Sequence, residues 1–192
     1  MFSWFKKDNN ENTHAAAQAP ANTRIYAVGD IHGRLDLLQK IHDLIIKDAE
    51  SCDPKFRKVI VYMGDYIDRG LDSKQVIDSF LDNKIDQFEK VFIKGNHEHE
   101  ILSFLDNHEV GDMWIVWGGH ATLQSYGVNI NNEKGKRLSM EELLNAFAKA
   151  LPEPHLEFMR NLQISHIEGD YLFVHAGIRP GVQLDNQTKD DM

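Results

Sequence analysis

Val59-Ile60-Val61-Tyr62-Met63 runs without a polar break into Gly64-Asp65-Tyr66-Ile67-Asp68-Arg69-Gly70. An unbroken apolar run of this length suits a strand buried on both faces, as in a parallel sheet. The residues after it change character at once, to glycines, aspartates and an arginine. In open α/β sheets ligands bind outside the carboxyl ends of the strands. The junction therefore sets Asp65, Asp68 and Arg69 where chemistry is done, and its glycines let the backbone turn sharply and a substrate approach closely.

The same arrangement recurs on either side. Ile25 to Val28 is a short apolar run followed by Gly29-Asp30-Ile31-His32-Gly33. Val91 to Ile93 leads to Gly95-Asn96-His97-Glu98, and Tyr171 to Val174 leads to His175-Ala176-Gly177. Helical patterns lie between these runs. Arg34 to Glu50 carries Leu38, Ile41, Ile45 and Ala49 on one stripe, with Asp36, Lys40, Asp43 and Lys47 outside it. Ser73 to Asn83 turns Val76, Ile77, Phe80 and Leu81 inward, and His97 to Asn107 buries Ile101, Leu102 and Leu105. Strand and helix in alternation predict right-handed βαβ units.

Beyond them, Val110 to Val128 reads as irregular or partly helical. Ser139 and Glu142 form a capping box ahead of Leu143, Leu144 and Phe147. A short helix follows over about Glu153 to Asn161. Ile164 to Ile167 and Tyr171 to Val174 read as a hairpin turning at Glu168-Gly169-Asp170.

The spacing brings the clusters together. Asp30 and Asp65 are 35 residues apart, and Asp65 and Asn96 are 31 apart. Each interval is about one βαβ unit, so adjacent parallel strands would present these side chains in one crevice. The inventory of Asp, His, Asp, Asn and His mixes oxygen and nitrogen donors. It suits manganese, iron or zinc and not a thiolate site. Two such metals about 3.5–4 Å apart could share a carboxylate and clamp the attacking and leaving oxygens of a phosphoryl transfer. Taken singly, each cluster has a plainer reading: a Gly-Asp turn, a salt-bridged turn at Asp65, Asp68 and Arg69, a satisfied core histidine at His175. Four clusters in this order, each at a strand end, carry the functional reading.

Composition narrows the class. At 192 residues the chain has room for one domain of typical size. A net charge of −9 argues against a general nucleic-acid binder, which needs Lys and Arg along the phosphates. The single cysteine, Cys52, permits no intrachain disulfide and fits a reducing compartment. Met1 to Lys7 lacks the apolar run of a signal peptide, and no stretch has the roughly 18 to 20 apolar residues of a membrane span. The expectation is a cytoplasmic protein without stable membrane insertion, with at most a weak membrane-surface element at Phe2, Trp4 and Phe5. Residues 1–23 read as a flexible leader and 24–192 as the domain.

Together GDIHG, GDYIDRG, GNHE and HAG resemble the signature of the calcineurin-like metallophosphoesterases. The DRG and NHE forms resemble the phosphoprotein-phosphatase branch, including small bacterial and phage serine/threonine phosphatases. The resemblance covers Arg24 to about Gln187. It implies an α/β metallophosphoesterase fold, a βαβ-rich two-sheet sandwich flanked by helices. It implies two divalent metals, manganese first, with iron or zinc as alternatives. Asp30 and His32 would bind one, Asn96 and His175 the other, and Asp65 would bridge them. Water activated by both cations would attack phosphorus directly, without a phosphoenzyme. Arg69 would hold phosphate oxygens. His97 would protonate the leaving alkoxide, oriented by Asp68. The implied substrate is a phosphoprotein or a small phosphoester, hydrolysed at phosphoserine or phosphothreonine. Dinucleoside polyphosphates are the alternative substrate, and a non-catalytic metal-binding domain is a third reading.

Two positions depart from the pattern. Lys94 stands where several relatives carry a second phosphate-binding arginine, keeping the charge but losing the fork. No histidine follows His175, where relatives place a further ligand of the second metal. The resemblance thus implies a chain missing its C-terminal part, weakly stable and weakly active alone. Several other residues take bland readings: His99 as second-layer or surface, His120 as a loop histidine, His166 as solvent-facing, and Gly111-Asp112 as a turn. Trp114 and Trp117 fit a substrate groove or core cover equally.

Overall fold

The computed structural model describes residues 16–192. Strands β1 (Thr23–Val28), β2 (Arg57–Tyr62) and β3 (Glu89–Phe92) form a parallel sheet in the order β1-β2-β3. Its register pairs Ile25 with Val59 and Val61 with Val91. The crossovers are α1 (Leu35–Ala49) and α2 (Ser73–Leu81). Right-handed crossovers between sequential neighbours send both helices to one face, and the core divides accordingly. Ile60 and Tyr62 pack with Leu38, Ile45, Val76, Ile77 and Phe80. Val59 and Val61, alternate on the same strand, pack with Val91 and Ile93 on the opposite face under Phe173. This is why β2 reads as an unbroken apolar run: all four residues from Val59 to Tyr62 are buried.

Phe173 belongs to the second sheet, the antiparallel pair β4 (Ser165–Glu168) and β5 (Tyr171–Val174). Arg57 at the start of β2 ties the hairpin to the main sheet, reaching Glu168 at 2.7 Å and Glu89 at 2.8 Å. His166, expected to face solvent, is half-buried. It pairs with Phe173 across the hairpin and shares its face with Glu168, 3.4 Å away, which Arg57 draws inward.

The helical remainder covers the other side. It comprises α3 (Asn96–Asp106), α4 (Gly111–Trp114), α5 (His120–Ser125), α6 (Met140–Ala150) and α7 (Glu153–Arg160). Gly111 opens α4, so Gly111-Asp112 is helical and not a free turn. The capping box at α6 forms as read, with Glu142 N donating to Ser139 Oγ at 3.2 Å. Trp114 is fully buried, whereas Trp117 is 42% exposed, so the two tryptophans part company. Ile41 and Leu81, read as inward, stand at the flanks of their helices, and Ile41 shares an uncovered stripe of α1 with Leu37 and Leu44.

The leader expected over 1–23 is described only from residue 16, so its first part and the aromatics near Trp4 lie outside the described residues. Its last part docks on the hairpin turn. Gln18 and Asp170 exchange two hydrogen bonds of 3.0 Å, and Tyr171 Oη donates to the Ala17 carbonyl at 3.1 Å. No helix among the described residues is long and apolar enough to cross a membrane.

Candidate metal centre and active site

The carboxyl ends of β1, β2, β3 and β5 converge, and the four motifs meet there. Backbone bonds stitch the first two loops together. The amides of Ile31 and His32 donate to the Asp65 carbonyl at 3.0 and 2.9 Å, and Gly70 N donates to the His32 carbonyl at 3.0 Å. The price is backbone strain. Six non-glycine residues have positive φ among the described residues, and His32, Asp65, Asp68 and Arg69 are four of them. Such conformations persist only where their surroundings over-determine them, and they cluster at functional sites.

Asp65 is the hub. Its Oδ2 lies 3.5 Å from His175 Nε2, 3.8 Å from His32 Nε2 and 3.9 Å from His97 Nε2. Asp30 Oδ2 is 3.7 Å from His32 Nε2, and Asn96 Oδ1 is 3.1 Å from His175 Nε2. All five residues expected as metal ligands are thus brought together. Their tightest groupings are His32, Asp65 and His97 on one side, and Asp30, Asp65 and His175 on the other. Asp30 also lies beside His32, 3.7 Å from its Nε2, as the expected pairing of these two requires.

His32 and His175 are each anchored through Nδ1. His32 Nδ1 meets the Ile67 carbonyl at 3.0 Å, and His175 Nδ1 meets the Met63 carbonyl at 2.7 Å. A carbonyl only accepts, so both Nδ1 atoms carry the proton and both Nε2 atoms face the centre, as in ligating histidines. Among the described residues, His32 Nε2 is a buried polar atom without a hydrogen-bond partner. Buried polar atoms are otherwise satisfied, and a divalent cation is a partner this donor set fits. Hydrogen bonding to Asp65 pushes His175 up to about 9. Burial pushes the Asp65 carboxyl upward, but His175, the His97 amide and nearby positive charge outweigh it, and the net shift is down. A proton on His175 therefore answers the negative charge of Asp65 in the absence of a metal.

The second cluster lies beside the first. His97 Nδ1 donates to Asp68 Oδ2 at 2.6 Å, and Arg69 Nη2 is 3.3 Å from His97 Nε2. Burial pulls the His97 imidazole down, yet the hydrogen bond and charge of Asp68 outweigh it and hold it above its ordinary value. Asp68 and His97 are buried, while Arg69 reaches solvent.

Glu98 has a role its place in GNHE did not disclose. Its carboxylate is fully buried and accepts from the amides of Tyr66 at 2.8 Å, Asp65 at 2.9 Å and Gly95 at 3.0 Å. Burial, with the Asp65 charge nearby, pushes it up to about 7, and the amides pull the other way. Every partner is an N–H, so the carboxyl serves only as an acceptor in these bonds. Trp114, Thr122 and Ser73, also missed, surround Asp68. Ser73 lies five residues from it, whereas Trp114 and Thr122 lie 46 and 54 residues away in a stretch without regular period. Lys94 lines a cleft with Asn96, His99, His175 and Lys189; burial and the Lys189 charge lower its pKa. His120, read as a loop histidine, is exposed but opens helix α5.

Residues 23–192 match the calcineurin-like phosphoesterase family. The chain belongs to this family. It is 36% identical over 153 residues to serine/threonine-protein phosphatase 2 of Escherichia coli (strain K12), covering 79% of this chain and 57% of that protein. It is 26% identical over 161 residues to the symmetrical bis(5'-nucleosyl)-tetraphosphatase of Nitrosospira multiformis, covering 84% and 46%. The fold matches a crystal structure provisionally assigned as a diadenosine tetraphosphatase, with TM-score 0.50 and 20% identity over 90% of this chain and 59% of that one. The chain spans about half the length of the curated relatives it matches. The family uses divalent metals, and the converging donors of this calcineurin-like phosphoesterase are of the kind such metals take.

Proposed function

We propose that this protein is a metal-dependent phosphomonoester hydrolase acting on phosphoserine and phosphothreonine of proteins. The observation that carries the reading is the chain of Arg69, His97 and Asp68, linked at 3.3 and 2.6 Å beside the donor cluster. A module that only binds metal has no use for a guanidinium and a carboxylate-backed imidazole at its edge.

In this reading Asp30, His32, Asp65, Asn96 and His175 would hold two divalent cations, with manganese the first choice. Bound cations of this kind polarise phosphoryl oxygens and acidify water at neutral pH. The protein's own groups do the rest. Arg69, exposed at the crevice mouth, binds phosphate oxygens with its fork. His97 delivers a proton from Nε2 to the leaving serine or threonine oxygen. Asp68 accepts from Nδ1 and favours the imidazolium until that transfer. Cytoplasmic residence belongs to the same reading, supported by the lone Cys52.

A second reading, hydrolysis of dinucleoside polyphosphates, draws on the tetraphosphatase relative. Higher identity to the protein phosphatase supports the first. Turnover of a phosphothreonine peptide and of diadenosine tetraphosphate by manganese-loaded protein, beside metal-stripped protein, separates them. Metal-dependent turnover of the peptide with the larger kcat/KM is expected. Preference for the dinucleotide would establish the second reading. No turnover of either would leave a metal-binding domain.

A further inference from the structure

We infer that Trp114 and Thr122 are positioning residues that hold Asp68 so that His97 can act as the leaving-group acid. The inference rests on the phosphomonoesterase reading and adds to it two residues outside the four motifs.

The carboxylate of Asp68 is fully buried and held at both oxygens. Oδ2 accepts from His97 Nδ1 at 2.6 Å and from Trp114 Nε1 at 2.8 Å. Oδ1 accepts from the Thr122 hydroxyl. The Asp68 amide lies 2.9 Å from Thr122 Oγ1 and 3.0 Å from Ser73 Oγ. An indole N–H only donates, so Oδ2 must accept, and the His97 proton on Nδ1 stays on the histidine. With donors on both oxygens the carboxylate is fixed in orientation. Nε2 is then the one His97 position free to exchange a proton, and it points toward Arg69 and Asp65.

The backbone is shaped to make this clamp. Trp114 and Thr122 are eight residues apart, about 12 Å along a straight α-helix. Between them lies a π-type turn, Ile115–Gly119, with Gly118 at φ 120°. That kink lets both side chains reach one carboxylate. The indole is closely packed. It packs against Phe104 at 5.0 Å between ring centres, and a Cβ at Gly119 would come within 2.4 Å of it. The same turn receives the Arg69 amide at the Gly118 carbonyl, 3.2 Å. One segment therefore fixes both the acid and the neighbouring guanidinium.

The test uses two substrates with manganese-loaded protein. A phosphoserine peptide needs its alkoxide protonated; 2,4-dinitrophenyl phosphate releases a phenolate that does not. Thr122→Val and Trp114→Phe should lower kcat on the peptide by about 10- to 100-fold. KM should hold, the dinitrophenyl ester should lose much less, and Thr122→Ser should recover the rate. Equal losses on both substrates, or an effect confined to KM, would overturn the inference. Thr122→Val alone decides it if Trp114→Phe does not fold. If wild-type protein turns over neither substrate, the hydrolase reading fails, and proton NMR of the metal-free protein still decides the clamp. The His97 Nδ1–H resonance, downfield in wild type, should move upfield in Thr122→Val; an unchanged resonance would overturn it.

Discussion

Asp65, Asp68, His97 and Glu98 are each at most 4% exposed, whereas Asp30, Asn96 and Arg69 stand in solvent and His175 is half-buried, in the same crevice. The buried side is held by side chains from several elements. Asp68 takes donors from α3, α4 and α5, and Glu98 gathers three loop amides. On the open side His175 is held by the Met63 carbonyl and Asn96, at the end of a two-stranded hairpin. Polar groups in the interior must be fully satisfied or they destabilise the fold, so the buried side contributes to the fold as well as to the site. The open side leaves its donors for solvent, cation or phosphate. Acid positioning belongs to the first and substrate capture to the second.

Breaking the hub should have the largest effect, because Asp65 serves both sides. Asp65→Asn should reduce turnover to that of metal-stripped protein, read by release of inorganic phosphate. His97→Ala comes next, with a loss of about 10²- to 10⁴-fold in kcat on a phosphoserine peptide. A much smaller loss would remove the acid from the account. Glu98→Gln sharpens the structural half of the comparison. It puts an amide among backbone donors and should destabilise the fold by about 2–3 kcal/mol in urea unfolding. The open side has no single residue whose replacement should match this.

The smallest effect is a pH dependence behind the buried side. His155 on α7 takes Tyr126 Oη at 2.8 Å and meets Asp78 at 2.9 Å. Burial lowers its pKa, and Asp78 only partly offsets that. The unfolded chain then binds more protons between the folded pKa and about 6.5, so stability is present above that window and is lost as pH falls through it. Melting temperature should fall on acidification through this window, and less steeply in His155→Gln.

These two sides also differ in how far the sequence announced them. Asp30, Asp65, Asn96 and His175 each follow an apolar run directly, so local order alone marks them as strand-end residues, and the parallel order β1-β2-β3 brings the first three together. The clamp on Asp68 was not legible. Trp114 and Thr122 lie 46 and 54 residues away, on a stretch without regular period because its helix is interrupted by a π-type turn. Glu98 was visible as part of GNHE, but its bonds go to backbone amides, which any sequence would offer. His166 was misread for a related reason: Arg57, which draws its neighbour Glu168 inward, lies 111 positions before Glu168.

Calorimetric titration of manganese into metal-stripped protein tests the unequal two-sided centre most directly. His32 Nε2 has no hydrogen bond to give up, whereas His175 must release a proton and its contact with Asn96. The account predicts two equivalents in unequal steps, the tighter removed by His32→Ala and the weaker by His175→Ala. A single equivalent, or the same loss from both substitutions, would contradict it.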